Sequence, residues 1–185
     1  MKLEREISNK RMSKAELEKL IDNYQESLLN HAFFICGSIQ DAEDIVQDTF
    51  VKCFHQPPAI IEASKTKAYL YRMVNNASID LIRKRKQNQV LDIDKMIDLP
   101  DEKQNGSRRK MLLHNEFLRI NKLLEKIPEE QSEIIRMRTI SNLSFVEIAR
   151  ILQIPITTVK SRFTYGIDKL RKKTEIIKEV YDELY

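Results

Sequence analysis

Apolar positions recur along almost the whole chain with a period near 3.6 residues, and no stretch alternates strictly enough to predict a strand. The first such stretch predicts a helix over 14–36, with Leu17, Leu20, Ile21, Tyr24, Leu28 and Leu29 on one face. Ser13 precedes it and Glu16 follows three positions later, the spacing of a capping box, in which each side chain bonds the other residue's backbone amide. Gly37 supplies the stop. A second helix is expected over 39–54, with Ile45, Val46, Thr49, Phe50 and Cys53 inward. His55-Gln56-Pro57-Pro58 ends it, because proline lacks a backbone donor and restricts the residue before it. A third is expected over 66–86, with Ala68, Leu70, Tyr71, Val74, Ala77, Ile79, Leu81 and Ile82 as core candidates.

The pattern breaks over 87–110. Asp92, Asp94, Asp98, Asp101 and Glu102 alternate there with a few apolar residues, and Pro100, Asn105 and Gly106 oppose a helix. Such a stretch reads as a linker between domains. Helical periodicity resumes at Met111 and continues through Leu112, Leu113, Phe117, Ile120, Leu123 and Leu124 to Pro128. Further helices are expected over 130–140, 144–152 and 157–181. The fold class is therefore all-α: small helical domains at 14–86 and 111–181, joined by a flexible acidic linker.

The last two helices form a helix-turn-helix. Ser144 caps the first, which turns Ile148, Ala149 and Leu152 inward, and Gln153-Ile154-Pro155-Ile156 makes the turn. Thr157 or Thr158 caps the second, which buries Val159, Phe163, Ile167 and Leu170. The small Ala149 lets the two helices approach closely, and Gln153 stands where many such turns carry glycine.

Composition narrows the possibilities. Three glycines and five prolines in 185 residues are too few for the tight turns of a β-sandwich or barrel. A hydrophobic share of 42% excludes wholesale disorder. No apolar run approaches the roughly 20 residues that span a bilayer, and Met1–Arg11 is charged and has no signal-peptide core. The expectation is a cytoplasmic protein without membrane insertion. Cys36 and Cys53 lie among apolar neighbours and read as small buried hydrophobes. His31, His55 and His114 share no ligand spacing with them, so neither a metal nor another cofactor is expected.

The formal charge of +4 conceals a partition. Residues 40–52 carry −3, from Asp41, Glu43, Asp44 and Asp48 against Lys52. Residues 65–86 carry +6, from seven bases against Asp80, with Tyr69, Tyr71, Asn75 and Asn76 among them. Basic residues interleaved with aromatics suit backbone tracking and base stacking on single-stranded nucleic acid, although either tyrosine could equally belong to the core. Residues 157–173 carry +5, and the outward face of that helix presents Thr158, Ser161, Arg162, Tyr165 and Lys169, with Lys160 alongside. Lysines can meet phosphates there while Arg and Ser reach base edges; the alternative is a solvated amphipathic helix. The acidic stripe of the second helix, Asp41, Asp44, Gln47 and Asp48, suits a docking face. Paired carboxylates also serve metal-dependent nucleases, but no His, Ser or Lys accompanies these at a defined spacing, and no catalytic residue is expected.

In this order the pieces resemble the sigma-70 family of bacterial RNA polymerase specificity subunits, in its two-domain extracytoplasmic-function (ECF) group. DAEDIVQDTFVKCF, residues 41–54, is similar to the family's core-polymerase-binding segment, AYLYRMVNNASIDLIRKRK, residues 68–86, to its −10 segment, and LSFVEIARILQIPITTVKSRF, residues 143–163, to its −35 helix-turn-helix. LLEKIPEEQSEIIRMR, residues 123–138, matches the usual lead-in. The resemblance implies that Asp41, Asp44, Gln47 and Asp48 face the clamp helices of core polymerase. It implies that Asn76 meets the −10 strand beside Asn75, and that Tyr69, at a position where the family commonly has Trp, stacks on a base. Arg72, Arg83, Lys84 and Arg85 would hold phosphates, and Thr158, Lys160, Ser161, Arg162, Tyr165 and Lys169 would meet −35 DNA. The implied partners are core RNA polymerase, promoter DNA and an anti-sigma factor. A response regulator with the same style of helix-turn-helix would need a receiver domain, which the helical first half does not supply.

Overall fold

The structure, a computed structural model, describes residues 12–55, 63–89 and 107–184. Among these residues every element is a helix: α1 (Lys14–Cys36), α2 (Ile39–His55), α3 (Ala63–Gln89), α4 (Ser107–Leu124), α5 (Glu129–Thr139), α6 (Phe145–Leu152) and α7 (Ile156–Leu184). They fall into two compact units, α1–α3 in the first and the greater part of α4–α7 in the second. Pro57, Pro58 and residues 90–106, most of the expected linker, lie outside the described residues. No described helix is long and apolar enough to cross a membrane.

Local chemistry sets the ends of α1. The Glu16 amide donates to Ser13 Oγ at 3.2 Å, and the Ser13 amide donates to the Glu16 carboxylate at 2.8 Å, completing the capping box. Gly37 closes the helix in the left-handed conformation, φ 76°, with its amide on the Phe33 carbonyl. Ser38 then starts α2 by accepting from the Asp41 amide at 3.2 Å.

α1 and α2 pack along one another. The core of this unit takes Leu28, Ala32, Phe33, Phe34 and Cys36 from α1, Ala42, Val46, Phe50 and Cys53 from α2, and Ala68, Leu70, Tyr71 and Val74 from α3. The expected stripe at the start of α1 is less deeply placed: Leu17, Leu20, Ile21, Tyr24 and Leu29 are half-buried, as is Ile45 in α2. Burial instead concentrates near the end of α1, where residues 31–34 are all buried and the turn is enclosed on every side. That enclosure takes in a polar group. His31 Nε2 lies 3.2 Å from Asn75 Oδ1, and its ring meets Tyr71 edge-on at 5.2 Å. Both cysteines are free and buried. Burial pushes the Cys53 thiol from 9.0 up to about 11, and burial is also the main cause that raises Cys36, so both stay neutral thiols at pH 7.

In the second unit α5 packs against α7. Leu124, Ile127 and Ile135 form a core against which Ile120, Phe163, Ile167 and Leu170 pack. Gly166 makes the contact between the two helices possible. A Cβ there would stand 2.8 Å from Ile135 Cδ1 and 3.2 Å from Gln131 Cβ.

The helix-turn-helix differs from expectation at two points, the packed residues of its first helix and the cap of its second. Ser144 and Glu147 form a second capping box, so α6 starts as expected, but its packed residues are Ile148 and Ile151, with Ala149 and Leu152 half-buried. Gln153 adopts the left-handed conformation, φ 56°, that glycine would occupy without strain. Holding a non-glycine residue there costs on the order of 1 kcal/mol. Neither Thr157 nor Thr158 caps α7. The helix already begins at Ile156, and the Pro155 carbonyl accepts its first bond, from the Val159 amide at 3.1 Å.

Candidate docking and nucleic-acid surfaces

The acidic residues of α2 follow helical spacing, and three of them share a groove. Asp41, Asp44 and Asp48, with Lys52, line one wall of a groove of about 200 Å³, and Met73, Ala77 and Leu81 of α3 line the other. Gln47 is exposed beside it. The outer surface of α2 continues past the acids through Val51 and Phe54, which are 55% and 38% exposed. Sequence reading missed these two as surface groups, although they stand seven residues after Asp44 and Gln47. Single apolar residues at such positions are ordinary in a sequence and became visible only through their exposure.

Asp41 differs from its neighbours. Arg85 Nη2 lies 2.9 Å from both of its carboxylate oxygens, and the Asp41 side chain is only 20% exposed. Two residues expected on different surfaces thus pair with each other through Arg85 Nη2, while the Arg85 side chain stays 46% exposed. Helix periodicity explains this: Arg85 follows Ser78 by seven residues and Tyr71 by fourteen, on the face of α3 that is buried.

The other face of α3 keeps most of its expected residues together. Tyr69, Arg72, Asn76 and Arg83 follow at spacings of three, four and seven and so form one stripe along the helix. Asn76, Arg83 and Lys84 are exposed, while Tyr69 and Arg72 are half-buried. Burial raises the Tyr69 phenol above its ordinary range, with Cys53 a lesser cause, so at neutral pH the ring carries no charge that would repel phosphate. Asn75 does not belong to this surface. It is 2% exposed and bonded to His31, so the expectation of a −10 contact from Asn75 is corrected. The cause is a step of about 100° per residue, which turns one of two adjacent asparagines outward and the other into the core.

On α7, Lys160, Ser161, Tyr165 and Lys169 are exposed, Tyr165 at 62%. Thr158 and Arg162 are half-buried. The Ser161 hydroxyl donates to the Thr158 carbonyl at 3.0 Å, and Arg162 Nη2 stands 3.9 Å from the Glu130 carboxylate. A pair at that distance between a half-buried guanidinium and an exposed carboxylate is weak. Behind this face Phe145 meets Phe163 edge-on at 5.2 Å, and the Arg138 guanidinium lies 5.3 Å from the Phe145 ring centre. The ring contact ties α6 to α7, and the guanidinium contact ties α5 to α6.

Comparison with known proteins agrees with both halves. Residues 20–88 match the model of sigma-70 region 2, and residues 123–172 match that of sigma-70 region 4. The ECF RNA polymerase sigma factor SigW of Bacillus subtilis is 27% identical over 168 residues, covering 83% of this chain and 86% of SigW. Among solved structures, CnrH in complex with the cytosolic domain of CnrY superposes with a TM-score of 0.65 at 20% identity, covering 94% of this chain and 96% of CnrH. The sigma factor RpoE of Bartonella quintana, in complex with the anti-sigma factor NepR, superposes with a TM-score of 0.62 at 24% identity, covering 86% of this chain and 96% of that one. The chain belongs to the sigma-70 family of RNA polymerase sigma factors, in its extracytoplasmic-function group, and acts in promoter-specific transcription initiation.

Proposed function

We propose that the chain docks on core polymerase through α2, captures the −10 strand on α3 and reads −35 DNA with α7. The observation that carries this reading is the separation of charge onto faces: exposed Asp44 and Asp48 beside an apolar-walled groove on α2, and exposed cations with Asn76 on the outer stripe of α3. Asp44, Gln47 and Asp48 supply polar contacts to a basic helical partner, and Val51 and Phe54 extend the contact with apolar area. Partner, DNA strand and duplex then occupy different surfaces, as simultaneous binding requires.

The protein contributes no bond chemistry. Its work is to offset the cost of unpairing, a few kcal/mol per extruded base, by giving the freed strand a half-buried tyrosine ring and an exposed amide on one stripe. Arg83 and Lys84 hold the adjacent phosphates. On the −35 side the groove contacts come from Lys160, Ser161, Arg162, Tyr165 and Lys169, with Thr158 at their edge, and a good bidentate arginine contact discriminates by about 1–3 kcal/mol. A protein inhibitor that covers these faces, as the anti-sigma factor NepR suggests by its complex with the similar RpoE, is the proposed regulator.

Asn76→Ala and Arg162→Ala are each expected to reduce transcription from a cognate promoter about ten-fold or more, the loss of one specific contact. Affinity for core polymerase should not change in either. Run-off transcription and a core-binding titration on the same preparations check this. Loss of polymerase binding with retained DNA binding in either variant would sink the assignment.

A further inference from the structure

We propose that Asp41 is a positioning residue for the basic end of α3, which it holds through Arg85, and that it influences promoter binding without contacting the polymerase. The inference rests on the reading of α3 as the strand-binding helix. Past Ile82 the described side chains Arg83, Lys84, Arg85 and Gln87 are all exposed, so the last turns of α3 bury little apolar surface. Helix ends without packing open easily. Arg85 supplies an anchor on the packed side of the helix, with Nη2 2.9 Å from Oδ1 and Oδ2 of Asp41.

The carboxylate is itself well fixed. It stands in the first turn of α2, where the helix dipole favours negative charge, and its backbone amide is bonded to Ser38 Oγ. Its Oδ2 is buried. Asp44 and Asp48, by contrast, are exposed and open to a partner. With Arg85 pinned inward, Arg83 and Lys84 are turned outward by the helix repeat, to where a phosphate backbone is met.

Charge counting and positioning predict opposite signs. Asp41→Asn removes a negative charge beside a basic helix end, which by counting alone tightens DNA binding and steepens its salt dependence. Positioning predicts weaker binding, because the helix end that presents Arg83 and Lys84 loosens.

The test uses the full chain as wild type, Asp41→Asn, Arg85→Ala and the double variant, with promoter fragments selected from host genomic DNA by the wild-type holoenzyme. Hydrogen exchange across 80–89 should accelerate several-fold in each single variant, and the double variant should be no faster than either, because the two residues act as one unit. Core-polymerase affinity should stay within about two-fold of wild type, and holoenzyme affinity for the fragments should fall about five-fold, the range of a partly exposed ion pair. Unchanged exchange across 80–89, a loss of core affinity confined to Asp41→Asn, or tighter DNA binding by that variant would each overturn the proposal. A wild-type chain that selects no fragment would instead overturn the strand-binding reading, while the exchange measurement still decides whether Asp41 holds α3.

Discussion

Gly166→Val is expected to cost the C-terminal unit about 2–4 kcal/mol and to abolish −35 binding at temperatures where the wild type is folded. The reason is steric and does not involve the conformational freedom of glycine, since residue 166 lies inside a regular helix. An added Cβ meets Ile135 Cδ1 at 2.8 Å and Gln131 Cβ at 3.2 Å. The Ile135 terminus can rotate away, but Gln131 Cβ is fixed to the backbone of α5, so a branched side chain must push the helices apart. Gly166→Ala separates the two effects. Its single methyl group overpacks the contact, while alanine gains about 1 kcal/mol over glycine in helix propensity. The net change should lie within about 1 kcal/mol of wild type. Thermal unfolding checks both, and the valine variant should melt on the order of 10–20 °C lower. Wild-type stability in Gly166→Val would mean that the α5–α7 contact is looser than described.

Asn75→Ala should destabilise the N-terminal unit by about 2–3 kcal/mol, whereas Asn76→Ala should change stability by less than about 0.5 kcal/mol. The two residues are chemically identical neighbours. Asn75 is buried and its Oδ1 accepts from His31 Nε2 across the core, so its truncation removes a hydrogen bond in a place that water does not reach and leaves a small cavity. Asn76 is exposed. The transcription phenotypes should run differently too: Asn76→Ala impairs initiation with an intact fold, and Asn75→Ala impairs it through loss of folded protein. Urea unfolding of both variants beside run-off transcription distinguishes them. Equal destabilisation by the two would contradict the assignment of one to the core and the other to the surface.

Much of this architecture is legible in the sequence because helices announce themselves locally. The capping box at Ser13, the cap at Ser144 and the stop at Gly37 are fixed by interactions within four residues, and the structure places them as read. What the chain does not reveal is decided at long range. Periodicity finds the apolar face of α1 but not how far along it the partners extend, so Leu17 and Leu20 were expected as deep as Leu28, which alone of the three is buried. A helix can start two or three residues before the cap that its sequence suggests, as α7 does with Pro155 ahead of Thr157 and Thr158. The pairing of Asp41 with Arg85 joins residues 44 positions apart. Nothing local distinguishes that aspartate from Asp44 three residues on, or that arginine from Arg83 two residues back.

This chain, by itself, should convert core polymerase into an enzyme that starts at defined promoters. Reconstitution with core RNA polymerase on genomic fragments, with mapping of the transcript 5′ ends, tests it most directly. Transcripts should begin at discrete sites downstream of two shared sequence elements, with core polymerase alone giving none of them. Initiation that is absent, or scattered equally with and without the chain, would contradict it.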